Sequence, residues 1–79
     1  MGREEIKNKI INFFENVSRH KDIDSEQDIR TMEFINSLTV MQLIVFIEKE
    51  FELSVDDDVL GSEQFHTING ISNYIFKKL

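Results

Sequence analysis

Along residues 4–19 apolar residues fall at Ile6, Ile10, Phe13 with Phe14, and Val17, the three-to-four spacing of one helical face. Glu4 and Glu5 stand at the start of this stretch, where a carboxylate suits the positive end of a helix. A first helix over 4–19 is predicted. Residues 20–36 break the pattern, being polar and aperiodic apart from Ile23, Ile29, Met32, Phe34 and Ile35. Such a run reads as a long loop pinned to a core by isolated apolar anchors, and loops of that length usually have a function. Over 38–51 the helical spacing returns more strongly, and both residues before it, Asn36 and Ser37, are good N-caps. Between 55 and 66 the run Asp56-Asp57-Asp58 followed by Gly61 and Ser62 predicts at most a short helical turn, stopped at Gly61. After Thr67, a capping residue, Ile68, Ile71, Ile75 and Leu79 form a last amphipathic helix, and Lys77 and Lys78 suit its negative end. The expected fold is all-α: a small bundle of three main helices plus one short helix, with a long loop between helices 1 and 2. With no proline, no repeat and no low-complexity segment, residues 1–79 are expected to form a single domain.

On a wheel of about 100° per residue, Val40, Leu43, Ile44, Ile47 and Phe51 share one arc of the second helix and are expected to face the core. Leu38, Met41 and Val45 fall on a different arc, bordered by Glu48 on one side and by Gln42 and Lys49 on the other. An apolar, methionine-containing stripe edged by polar groups is the kind of surface that meets a partner. The same stripe could instead lie beneath the long loop, against Ile29 or Phe34. At the head of this helix stands Ser37, where unpaired backbone N–H groups and the helix dipole favour a negative group such as a phosphodiester. A serine in that place is equally explained as a cap.

Composition narrows the chemistry. A chain of 79 residues is near the lower limit for a core that holds without staples and is small for an enzyme. It has no cysteine, which excludes disulfides, thiolate zinc sites and cysteine nucleophiles together. Any thiol would have to be imported. The net charge of −6 is uneven, since residues 22–63 hold 12 acids against two bases, Arg30 and Lys49, a net of −10, while the two ends are each +2. An acidic middle repels nucleic acid and anionic membranes and favours basic patches on proteins, or it serves only solubility. No apolar run approaches a membrane span and the first residues lack the apolar stretch of a signal peptide, so the protein is expected in the cytoplasm without membrane contact; a monomer is expected. His20 and His66 lack the neighbours a nucleophilic pair requires. The Asp56-Asp57-Asp58 run lacks the spacing of a calcium loop and reads as a solvated turn capping the short helix. Glu48 and Glu52 are one turn apart but show no pocket that would raise a pKa. No catalytic residues and no metal site are expected.

The string Phe34-Ile35-Asn36-Ser37-Leu38, followed by Met41-Gln42-Leu43-Ile44-Val45-Phe46-Ile47-Glu48-Lys49-Glu50-Phe51, resembles the acyl carrier protein family. The stretch Glu63-Gln64-Phe65-His66-Thr67-Ile68, with Ile71, Tyr74 and Ile75, resembles the family's approach to its final helix. The resemblance runs from about Ile6 to Ile75. It implies that Ser37, in the place of the serine of an Asp-Ser-Leu triplet, receives 4'-phosphopantetheine from coenzyme A, with Asn36 flanking the attachment. It also implies a carrier that is not an enzyme and that tethers an acyl or aminoacyl thioester in polyketide, nonribosomal peptide or fatty acid biosynthesis. The implied partners are a phosphopantetheinyl transferase, an acyl-activating or acyl-transferring enzyme, and downstream synthases. Leu38, Met41, Gln42, Val45 and Glu48 are the candidate contacts. Asn36 departs from the commoner aspartate. It caps as well, but it lacks a carboxylate that could help a transferase bind its metal. The variant is similar to freestanding carriers with a Phe-Val-Asn-Ser-Leu string that serve hydroxymalonyl, methoxymalonyl or aminomalonyl units. The rival reading is a degenerate carrier or helical adaptor, never modified, in which Ser37 only caps.

Overall fold

In the computed structural model, which describes residues 1–19 and 21–79, helix α1 spans Arg3–Ser18, α2 Ser37–Phe51, α3 Asp57–Leu60 and α4 Ile68–Lys78. Single 3-10 turns occupy Ile29–Thr31 and Glu63–Phe65. The described residues include no strand. The all-α bundle of three main helices and one short one is therefore as the periodicity predicts.

Each long helix contributes one apolar row to a shared core. Ile6, Ile10 and Phe14 come from α1, Leu43, Ile47 and Phe51 from α2, and Ile68, Ile71 and Ile75 from α4. These are the three-to-four repeats that place side chains on one face. Two expectations within those rows change. Ile44 packs against the core while remaining half-buried, Val40 is half-buried without joining it, and Thr39 is buried on that side of α2. A threonine tolerates the position because its hydroxyl donates to the Phe34 carbonyl at 2.9 Å, so no polar atom is left unpaired. Leu79 is the C-cap of α4, its N–H reaching the Ile75 carbonyl at 3.1 Å, and is 58% exposed rather than part of the buried row.

The helix ends explain the boundaries. Helix α1 closes at Arg19, whose left-handed backbone (φ 62°) lets its N–H reach the Glu15 carbonyl at 2.8 Å. Helix α2 closes on Glu52 in the same conformation. Thr67 caps α4 as predicted, its hydroxyl accepting the Gly70 N–H at 2.9 Å. Gly61 does follow α3, but its φ of −96° is open to any residue, so the stop does not depend on glycine. The aspartate run behaves differently from its expected capping. Asp56 stands at the N-cap of α3 without a side-chain cap bond. Its carboxylate faces Lys78 at 3.4 Å and the Tyr74 hydroxyl at 3.5 Å, and that hydroxyl accepts the Asp56 N–H at 3.3 Å.

The long loop is tied down at both main-chain and side-chain level. Ile29 and Met32 enter the core, and Ile23, Phe34 and Ile35 pack against it. The Ile29 N–H donates to the His66 carbonyl at 2.7 Å, and the Asn69 N–H in the first turn of α4 donates to the Ser25 carbonyl at 3.1 Å. The loop thus supplies an acceptor that the opening turn of a helix cannot find within itself. His66 is half-buried at this junction, as a boundary residue; His20 lies outside the described residues.

Candidate functional site

Four hydrogen bonds fix the chain where the loop turns into α2. The Ile35 N–H donates to Met32 O at 3.1 Å, and Met32 is itself buried. Asn36 is extended (φ −147°, ψ −175°), and its side-chain oxygen accepts the Thr39 N–H at 3.0 Å. The Asn36 carbonyl accepts the Val40 N–H at 2.9 Å, and the Thr39 hydroxyl reaches back to Phe34. Capping of this kind is worth about 1 kcal/mol. It also decides the role of the next residue.

Ser37 is the first residue inside α2 rather than its cap. The explanation of Ser37 as a cap is therefore overturned: a helix takes one cap, and Asn36 already accepts the bond that the serine hydroxyl would have taken. Ser37 is exposed, and its hydroxyl has no hydrogen-bond partner among the described residues. The backbone N–H groups of Ser37 and Leu38 likewise have none among the described residues. An exposed, unbonded hydroxyl beside two free N–H donors at the positive end of a four-turn helix fits a phosphodiester there, both sterically and electrostatically.

The face of α2 that starts at this serine is the predicted second stripe. Leu38, Met41 and Val45 are 64, 66 and 50% exposed, and Gln42 beside them is exposed. The loop does not cover them, because Ile29 is turned into the core and Phe34 packs edge-on against Phe14 at 6.0 Å between centroids. Glu48, on the border of the stripe, is half-buried and accepts the Val55 N–H at 3.0 Å, which anchors the segment leading to α3. Glu48 therefore has a structural task in addition to any contact. Glu52, one turn on, is the C-cap of α2 in the left-handed conformation (φ 53°).

Upstream, Asp28 and Arg30 hold the 3-10 turn that precedes the site. The Arg30 guanidinium donates to both Asp28 oxygens, at 3.0, 3.2 and 2.6 Å, and the Arg30 N–H donates at 2.9 Å. These bonds, the side-chain ones foremost, lower the Asp28 pKa from 3.8 to about 2. A groove of about 480 Å³ opens between this segment and the end of α1, floored by Ile23, Met32 and Phe34 and edged by Asp22, Asp24 and Glu33. Among the described residues no cluster of histidine, cysteine or carboxylate side chains is suited to a metal ion.

One residue of the site was missed in the sequence. Thr39 joins the cap to the loop, and the available signal was a polar residue at the core spacing 39, 43, 47. The family model described as "Phosphopantetheine attachment site" matches residues 8–75, from the first helix into the last. No curated protein and no solved structure matches the chain.

Proposed function

Because the chain belongs to the phosphopantetheine attachment-site family, whose model matches residues 8–75, we propose that Ser37 is where the 4'-phosphopantetheine arm is joined and that the chain is a carrier. The observation that carries this is the Ser37 hydroxyl, which is exposed and unbonded at the head of α2 because Asn36 does the capping. The arm, when attached, supplies the terminal thiol that a cysteine-free chain lacks. The chain then acts as a single domain that holds an acyl or aminoacyl group as a thioester for polyketide, nonribosomal peptide or fatty acid synthesis in the cytoplasm.

The chain's own contribution is placement and recognition. Tethering turns each encounter with an enzyme into a local search at raised effective concentration. Leu38, Met41 and Val45 offer an apolar contact along the helix that begins at the attachment point, with Gln42 and Glu48 at its edges. The partners of this surface are a phosphopantetheinyl transferase, an acyl-activating or acyl-transferring enzyme, and a synthase downstream. Incubation with coenzyme A and a broad-specificity transferase should add the mass of one phosphopantetheine to the wild type and nothing to Ser37→Ala. Mass gain by the alanine variant would move the attachment elsewhere.

A further inference from the structure

The cap at Asn36 fixes which end of its amide faces the helix. A cap must accept, and the Thr39 N–H takes the side-chain oxygen at 3.0 Å. The amide nitrogen is on the same rigid plate, turned away from that bond, on an exposed residue, and it has no partner among the described residues. The next residue is Ser37, with its free hydroxyl and with unbonded N–H groups on Ser37 and Leu38. An aspartate could make the same cap, but its second oxygen would present an acceptor and a negative charge where asparagine presents two N–H donors.

Resting on the reading that Ser37 carries the arm, we propose that Asn36 is a positioning residue for it: while its oxygen caps α2, its amide N–H donates to an oxygen of the phosphodiester on Ser37. The cap makes this inexpensive, since the plate is already held by the Thr39 bond and little side-chain freedom remains to be lost. An amide donor to an anionic oxygen is a charge-assisted bond and is stronger than its neutral counterpart. The base of the arm is thereby restrained against the head of α2, on the helix that carries the exposed apolar stripe. The asparagine thus gives up a carboxylate toward the transferase and gains a contact in the loaded protein.

The test uses the full chain, labelled with nitrogen-15, before and after loading from coenzyme A, with peptide mass analysis to locate the arm. On loading, the Asn36 side-chain amide signals should move downfield by more than those of Asn12 and Asn73, which are also exposed. In loaded Asn36→Asp the phosphorus resonance should shift and its relaxation should report faster motion. Loaded Asn36→Ser, whose hydroxyl can accept the Thr39 N–H and still donate, should recover part of the restraint. Both variants keep a capping side chain, and since the carboxylate of Asn36→Asp shifts the phosphorus resonance by its charge alone, the relaxation is the deciding signal: a role in capping alone would leave it alike in all three proteins. With the arm located on Ser37, Asn36 amide signals that do not move on loading, or phosphorus relaxation identical in the wild type and both variants, would overturn the proposal. An arm found on another residue would overturn the attachment reading first, and this one with it.

Discussion

A single side chain at position 36 separates two demands that aspartate and asparagine meet differently. As caps they are equivalent within a few tenths of a kcal/mol, so Asn36→Asp should barely move the melting temperature, whereas Asn36→Ala should lose about 1 kcal/mol in denaturant titration. Toward a generic transferase the added carboxylate can assist metal binding, and Asn36→Asp should be modified faster in a mass-based time course. An unchanged or slower rate would remove that role from the position. Asp28 offers a separate check on the approach to the site. Its pKa is depressed, so the Asp28 contribution to stability is complete above the ordinary value of 3.8 and is lost as the pH falls toward about 2. Carbon-detected titration should place the midpoint of its carboxyl near the lower value, and Arg30→Gln should raise it only part of the way, because the backbone N–H of residue 30 still donates.

Among the elements, α2 serves two purposes on two faces, and truncations should tell them apart. Leu43 is 1% exposed, so Leu43→Ala should cost about 2–5 kcal/mol in thermal or chemical denaturation. Met41→Ala should leave stability nearly unchanged while slowing loading, and an equal loss in both variants would put Met41 in the core. At the head of α4, a β-carbon on Gly70 would sit 2.5 Å from the Gln64 carbonyl oxygen. Gly70→Ala should therefore destabilise the fold by about 1 kcal/mol or more, although in an open helix the same change would help. The three long helices were legible because their apolar rows repeat at helical spacing, and Asn36, Ser37 and Thr67 marked the starts. Less was legible where tertiary contacts decide. Nothing local distinguishes Asn36 from Ser37 as the cap, because the choice depends on which side chain faces the Thr39 N–H, and the wheel does not show that Thr39 is buried while Val40 is only half-buried. Capping is a local property, so the aspartate run reads as a cap, but the Asp56 carboxylate faces Lys78 and Tyr74, residues from the far end of the chain. The open face with Leu38, Met41 and Val45 was recognisable on the wheel, while the loop that fails to cover it was not.

At the scale of the whole molecule, folding brings the basic ends onto the acidic middle at chosen places. Lys9 pairs with Glu50 at 2.9 Å, and Lys78 binds the Ser54 carbonyl at 3.0 Å beside Asp56. Both contacts lie at or beyond the last turn of α2, roughly 20 Å from Ser37 along a helix that rises about 1.5 Å per residue. Such exposed pairs add little stability, but they neutralise acids at the end of α2 remote from the attachment point. Loading by a transferase with a basic surface should slow as salt shortens the screening length from about 10 Å at 0.1 M to about 3 Å at 1 M. A rate indifferent to salt would leave the acidic segment with solubility alone. The meeting of the two chain ends near Asp56 also has an optical consequence. Tyr74 is the only tyrosine and there is no tryptophan, so ultraviolet excitation beyond the phenylalanine band is absorbed by a single ring. That ring packs edge-on to Phe65 at 5.6 Å and holds its hydroxyl against the backbone and carboxylate of Asp56. Its emission should therefore respond to any displacement of the start of α3, so the protein carries, beside its shortest helix, an intrinsic fluorophore that needs no label.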